Sequence, residues 1–109
     1  MQLMTASNLL GAFAVFSKTH MPVHFCQAYL EVCLADEANE PCTFRRLEEA
    51  LDLTNSSVSR TVAALGKAHR RGHDGFDLVD VIRDPEQGRR FLIRLTPKGR
   101  VFKKVILSV

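Results

Sequence analysis

Short hydrogen-bonding side chains and one guanidinium group are concentrated in a single stretch of the chain. They are Thr54, Asn55, Ser56, Ser57, Ser59, Arg60 and Thr61. Hydroxyl and amide groups of this kind bind phosphate oxygens or base edges, and an arginine pairs bidentately with guanine or grips a phosphate. These residue types predict a surface that contacts nucleic acid, with Arg60 as its strongest single candidate.

Apolar residues in the same stretch predict the helix that presents this surface. Val58, Val62 and Leu65 recur at i, i+4 and i+7, which makes one buried stripe, with the polar residues on the opposite face. Thr54 is suited to cap the helix through its hydroxyl group. We therefore expect a helix from Asn55 to about Lys67, in which some of the first polar residues only cap the helix.

A shorter helix is predicted just before it. Thr43 is a suitable N-cap, the helix ends near Leu51, and Asp52 lies at a tight corner, where Asp tolerates the left-handed conformation. Two short helices joined by a close turn describe a helix-turn-helix, whose second helix enters the major groove of DNA.

The remaining chain predicts flanking helices and a hairpin. Residues 3–17 form a helix with one broad apolar face (Leu9, Leu10, Phe13, Phe16), and a second helix runs from Pro22 to about Ala38. Alternating residues in 79–81 and 91–95 predict two strands around a turn with Pro and Gly at 84–89. Thr96 and Pro97 then begin a closing helix, as N-cap and first helical residue.

The predicted fold class is α+β, mainly α: a winged helix-turn-helix with a two-stranded β-hairpin wing and flanking dimerisation helices. A chain of 109 residues is one domain. Within 1–109 we expect N-terminal helices for dimer contact in 1–38, the helix-turn-helix in 43–70, the wing in 76–95 and the C-terminal helix in 96–109.

Charge is divided unevenly between the two halves. Residues 1–53 carry three basic and seven acidic residues, a net charge of −4, whereas residues 54–109 carry twelve basic and five acidic residues, a net charge of +7. The basic half contains the helix-turn-helix, as binding to a polyanion requires. Further phosphate or minor-groove contacts are expected from Arg89 and Arg90 on the wing, and from Lys67, Arg70 and Arg71.

Other chemistries are disfavoured. The three cysteines have no paired metal spacing, and His20, His24 and Cys26, or His69 and His73, form no complete ligand set, so neither a metal nor a cofactor is predicted. Cys26 and Cys33 are expected in the core, while Cys42, next to Pro41 in a loop, is the thiol to test for reactivity.

No catalytic arrangement is recognisable, so we predict that the protein is not an enzyme. The uncharged first seventeen residues are too polar for a membrane span, and a cytoplasmic protein is expected.

Residues 28 to 104 resemble the MarR family of bacterial winged-helix regulators. Two blocks carry the resemblance: Leu47-Glu-Glu-Ala-Leu-Asp-Leu-Thr54 with Ser57-Val-Ser-Arg-Thr-Val62, and Asp84-Pro-Glu-Gln-Gly-Arg-Arg90 leading into Ile93-Arg-Leu-Thr-Pro-Lys-Gly99. The resemblance implies a homodimer that binds a near-palindromic operator and represses transcription. It also leaves room for a small-molecule effector, although no residue here requires one.

The sequence departs from the family in three places. The wing of the family commonly carries Asp-x-Arg, in which the Asp steadies the Arg; here Glu86 and Gly88 lie near Arg89, and no Asp takes that place. The segment 67–77 is longer than usual and either extends the helix or forms a basic loop over DNA. The chain also ends soon after the wing, which leaves the dimer contact to the first helix and the last apolar stripe.

We therefore predict a sequence-specific regulator of transcription, a repressor, that binds double-stranded DNA, and these features suit a compact phage or plasmid regulator. Two alternatives remain. One is a winged-helix adapter that binds protein, and the other is a phage or plasmid replication or partition factor that binds repeated sites on DNA.

Overall fold

The computed structural model describes residues 3–67 and 75–107, with side chains for 10–67 and 75–106. Five helices and two strands make up the described chain. Their bounds are α1 (Leu3–Ser17), α2 (Val23–Glu37), α3 (Phe44–Leu51), α4 (Asn55–Leu65), β1 (Val79–Arg83), β2 (Phe91–Leu95) and α5 (Pro97–Leu107). This order is the predicted α+β arrangement, in which helices precede the helix-turn-helix and a hairpin follows it.

Local capping chemistry sets the ends of α3 and α4. The Thr43 hydroxyl accepts a hydrogen bond from the Arg46 amide at 3.1 Å, and the Thr54 hydroxyl accepts one from the Ser57 amide at 3.2 Å. Asp52 adopts the left-handed conformation with φ 54°, and the Leu53 amide donates to the Glu48 carbonyl. The two predicted caps and the predicted corner are confirmed.

The core lies where α2, α3, α4 and the hairpin meet. Its largest fully buried side chains are Tyr29, Leu47, Leu65, Val32, Val58 and Val79. The stripe predicted from Val58, Val62 and Leu65 is buried there, so α4 is held with its opposite face outward.

The hairpin is antiparallel, with Val79 opposite Leu95 and Arg83 opposite Phe91. Thr43 forms an isolated bridge with Leu92, and the Ile93 amide donates to the Cys42 carbonyl at 2.8 Å. Because residues 42 and 43 immediately precede α3, this pairing ties the wing directly to the helix-turn-helix.

The last helix is fastened to the body at its first turn. The Thr96 hydroxyl accepts from the Gly99 amide at 2.9 Å, which confirms Thr96 as a cap. A Cβ atom at Gly99 would lie 2.0 Å from the Leu78 carbonyl oxygen, so the close approach requires glycine. The Tyr29 hydroxyl donates to the Gly99 carbonyl at 2.5 Å and links α2 to α5.

Two details of the helices differ from prediction. The single apolar face predicted for α1 is divided: Phe16 is buried, whereas Leu10 and Phe13 are exposed. Helix α4, the predicted recognition helix of the helix-turn-helix, ends at Leu65 rather than near Lys67, because Gly66 takes an extended conformation. Beyond α4, the Gly75 amide donates a hydrogen bond to the Lys67 carbonyl at 3.2 Å.

The predicted contact residues Arg70 and Arg71, like His69 and His73, lie outside the described residues.

Candidate nucleic-acid interface

The outward face of α4 is polar and open to solvent. Asn55, Ser56, Ser59 and Arg60 are exposed, as is Thr54 at the cap. The Arg60 Nε atom donates to the Ser56 carbonyl at 3.3 Å. This bond uses one of the five N–H groups of the guanidinium, so the others are available to a ligand.

Two of the predicted contact residues are placed differently. Thr61 is only 3% exposed, so its predicted place on the outward face is wrong. It lies three residues after Val58 and therefore on the apolar stripe, and its hydroxyl donates to the Ser57 carbonyl at 2.9 Å. Ser57 itself is half-buried, and its hydroxyl accepts from that of Thr54 at 3.1 Å.

Asn55 is tied to the preceding helix. Its Nδ2 atom donates to the Glu48 Oε2 atom at 3.3 Å, across the corner of the helix-turn-helix. The amide oxygen is then free to accept a hydrogen bond from a ligand, while Nδ2 keeps one N–H group. The two partners are seven positions apart and belong to different helices, so no pattern within one helix predicts the pair.

A buried carboxylate holds the arginine at the base of the wing turn. The Asp84 Oδ2 atom accepts from Arg90 Nε at 2.8 Å and from Arg90 Nη2 at 2.7 Å. Its Oδ1 atom accepts from the Glu86 amide at 2.9 Å, and the Asp84 side chain is 5% exposed. The Glu86 amide and the Arg90 guanidinium hold the pKa of Asp84 below its ordinary value.

Arg89 has no Asp at the Asp-x-Arg spacing, as the sequence indicates, but an Asp does steady the neighbouring arginine of the wing. Asp84 does so from six positions upstream, because the turn brings the ends of the two strands together: the Asp84 amide donates to the Arg90 carbonyl at 2.8 Å. The arginine that is held is Arg90, whereas Arg89 is exposed at the tip. Asp84 and Arg90 are six positions apart, so the two-residue spacing of Asp-x-Arg does not include this pair.

An open cleft joins the recognition helix to the wing. Its volume is about 480 Å³, and its lining residues are Thr43, Phe44, Arg45, Asn55, Ser59, Arg90 and Phe91. The structure thus brings Asn55 and Ser59 of α4 together with Arg90 of the wing. The sequence did not predict Arg45 and Phe91 as part of this group. Arg45 is the second residue of α3 and Phe91 is the first residue of β2, and only the fold brings the two together.

Lys67 lies apart from this group. It is exposed and lines a different cleft, of about 650 Å³, together with Arg94, Lys98 and Arg100 near the start of α5. Asp80 lines the same cleft and forms an ion pair with Arg94 at 3.2 Å. The predicted phosphate contact of Lys67 would therefore involve a surface beside the recognition helix and not the cleft next to the wing.

All three cysteines are buried. Cys26 and Cys33 belong to the core as predicted, and Cys42, the thiol that the sequence singled out for a test of reactivity, belongs to the core as well. Cys42 packs beneath the hairpin, and burial raises its pKa to about 11. Among the residues that the structure describes, no three His, Cys, Asp or Glu side chains are grouped so as to hold a metal ion.

No helix in the described parts of the chain has the length and apolar character needed to cross a membrane.

Several solved structures share this architecture. A MarR-like transcriptional regulator from Thermotoga maritima is 24% identical, with a TM-score of 0.67, over 99% of this chain and 74% of that one. A mutant of MepR from S. aureus is 16% identical, with a TM-score of 0.68, over 97% and 70% of the two chains. The PcaV transcriptional regulator from Streptomyces coelicolor, solved with its natural ligand, is 31% identical over 79% of this chain and 52% of that one, with a TM-score of 0.52.

No family model and no curated protein sequence matches the chain. The likeness is therefore one of three-dimensional structure, and it extends over nearly the whole chain for the first two proteins.

Proposed function

We propose that this chain, which has the winged helix-turn-helix fold of MarR-like regulators, is a sequence-specific regulator of transcription that binds double-stranded DNA. In this proposal it is a cytoplasmic repressor and not an enzyme, and it uses no cofactor. One observation carries the proposal: the exposed polar face of α4 and the held Arg90 of the wing border one cleft. A duplex that placed its major groove on α4 would bring its adjoining backbone and minor groove to the wing.

The residues have distinct roles in this proposal. Arg60 reads a base in the major groove, because its guanidinium is exposed in the middle of the outward face. Thr54, Asn55, Ser56 and Ser59 bind phosphate or base edges at the start of the helix, where free amides and the helix dipole also favour an anion. Arg89 and Arg90 contact backbone or minor groove. Lys67, with Arg70 and Arg71, adds attraction to phosphate.

We also propose a homodimer. Leu10 and Phe13 on α1 and Val101 on α5 are large apolar residues that the single chain leaves exposed. The two helices pack against each other through Phe16 and Phe102, whose ring centroids lie 5.5 Å apart in an edge-to-face arrangement. A second copy that covered these residues would give the two-fold symmetry needed to bind two half-sites about one helical turn apart.

The dimer is tested by light scattering on the unaltered protein and on Phe13→Glu. We expect the mass of two chains for the former and of one chain for the latter, because a carboxylate at this position would be desolvated in the interface. Leu34→Glu, which puts the same carboxylate in place of an exposed apolar side chain on α2 and outside α1 and α5, serves as the control. A monomeric unaltered protein would contradict this part of the proposal.

Selection of bound duplexes from a random pool tests DNA reading. We expect enrichment of a near-palindromic site, and Arg60→Ala should weaken binding to that site by about 1–3 kcal/mol while changing binding to mixed-sequence DNA much less. Lys104→Ala is the charge-matched control, because it removes one exposed cation from a helix outside the proposed DNA interface. The proposal fails if no sequence is enriched, and Arg60 loses its role if its removal affects both duplexes equally.

A further inference from the structure

A partly exposed aromatic ring lines the cleft between the recognition helix and the wing. Phe91 begins β2, and its side chain points to the same side of the strand as Ile93 and Leu95, which are buried. Phe91 itself is 46% exposed. Isolated exposed apolar residues are common on protein surfaces. Phe91 differs from them because its ring lies in a cleft among polar and cationic groups.

The ring is held in a defined orientation. The guanidinium carbon of Arg83 lies 5.4 Å from the ring centroid, in a cation–π contact with the cross-strand partner of Phe91. Arg83 is fixed in turn, because its Nη1 atom donates to the Gly88 carbonyl at 3.1 Å. Any ligand in the cleft therefore meets a ring that is already placed, with little entropy to lose on binding.

The lining of the cleft combines cationic and apolar side chains. Arg90 and Arg45 supply N–H donors, and Phe91 and Phe44 supply apolar surface. Arg45 Nε is paired with Glu49 at 3.0 Å, but the Arg45 side chain is 85% exposed, so its remaining N–H groups are open to a ligand. The backbone of DNA combines the complementary groups, anionic phosphates and deoxyribose rings that expose C–H groups. A base edge, in contrast, would require hydrogen-bonding partners that the aromatic ring does not offer.

We propose that this cleft seats one segment of duplex backbone, with a deoxyribose against the ring of Phe91 and the flanking phosphates bound by Arg90 and Arg45. This inference rests on the proposed function, since it names how the same surface grips DNA between its two groove contacts. It adds an apolar contact, from Phe91, that does not depend on charge and carries no information about sequence.

Phe91→Ala tests the contact in anisotropy titrations with two duplexes, one enriched by selection and one of mixed sequence, each at low and high salt. If a sugar covers about half of the exposed ring area, the loss is five- to tenfold for each bound protomer. The loss should be equal on both duplexes, because every sequence has the same sugar. The salt dependence should be unchanged, because no cation has been removed.

Val81→Ala is the matched control, because Val81 lies on the same face of the hairpin, is 41% exposed and does not line the cleft. It should bind as the unaltered protein does. Arg45→Gln should lower the salt dependence, unlike Phe91→Ala, because it removes a phosphate contact. The thermal unfolding of each variant is compared with that of the unaltered protein, to check that the fold is intact.

The outcomes separate this inference from the function on which it rests. Undiminished binding by Phe91→Ala overturns the inference alone, as does a loss confined to the enriched duplex, which would indicate a thymine methyl contact. A loss with a reduced salt dependence also overturns it, because the ring would then act by holding Arg83. If the unaltered protein binds neither duplex, the inference and the proposed function fail together.

Discussion

Removing the negative charge of Asp84 should weaken DNA binding, which is the opposite of what simple charge repulsion predicts. In Asp84→Asn the amide oxygen can still accept from the Glu86 amide, as Oδ1 does now at 2.9 Å. The amide nitrogen then replaces Oδ2 and faces the two donors of Arg90. Because two donors cannot bond each other, Arg90 is released from the position in which it borders the cleft.

The magnitude follows from counting phosphate contacts. Each contact contributes about 0.9 to the slope of log affinity against log salt, so losing that of Arg90 lowers the slope by about 0.9 for each bound protomer. Between about 50 and 200 mM salt, one such contact changes the relative affinity by about 3.5-fold. Asp84→Asn should therefore bind more weakly at low salt, and the difference from the unaltered protein should shrink at high salt.

Anisotropy titrations of a labelled duplex at these two salt concentrations measure both quantities. Glu86→Gln is the control, because it removes an equal charge from the exposed part of the same turn without touching Arg90. It should leave affinity unchanged or raise it. Arg90→Gln should reproduce the reduced slope of Asp84→Asn. Tighter binding by Asp84→Asn, with a slope like that of Glu86→Gln, would refute the positioning role of Asp84.

Three further predictions concern the fold. Tyr29→Phe leaves the buried Gly99 carbonyl without its 2.5 Å donor, so the free energy of unfolding should fall by about 1–2 kcal/mol and the Tm by roughly 5–10 °C; an unchanged Tm would contradict the link between α2 and α5. The hydrogen bond from Lys103 lowers the pKa of Asp36, so its contribution to stability is complete above the ordinary carboxyl value and is lost as pH falls through the lowered one. Unfolding titrations of Asp36→Asn should therefore show a weaker loss of stability below about pH 4, and a loss equal to that of the unaltered protein would remove Asp36 from this role. Burial raises the pKa of Cys42 to about 11, so alkylation at pH 8 should be slow in the native protein and fast in denaturant, and rapid native alkylation of Cys42 would show that it is accessible.

Local signals predicted most of the architecture. The caps Thr43 and Thr54 and the corner at Asp52 act over three or four residues, so their partners are visible in the sequence itself. The alternation in 79–81 and 91–95 predicted the hairpin for the same reason. These elements determine how α4 is oriented, and therefore that Arg60 faces outward.

The errors have physical causes that local patterns do not resolve. Residue type alone predicts Thr61 on the polar face. Its place three residues after Val58 instead puts it on the apolar stripe, where its hydroxyl donates to the Ser57 carbonyl. The support of Arg90 by Asp84 depends on how the turn closes. Cys42 is buried because the hairpin covers it, through the pairing of the neighbouring Thr43 with Leu92, forty-nine positions further along the chain.

Binding of the unaltered protein to a mixed-sequence duplex at two salt concentrations tests the central claim most directly. If Arg89, Arg90 and Lys67 each neutralise one phosphate as proposed, these three contacts give a slope of roughly −2.7 for each bound protomer, and affinity falls about 40-fold over a fourfold rise in salt. Weak binding that does not change with salt would contradict the account, and it is the result expected of a winged helix that binds protein.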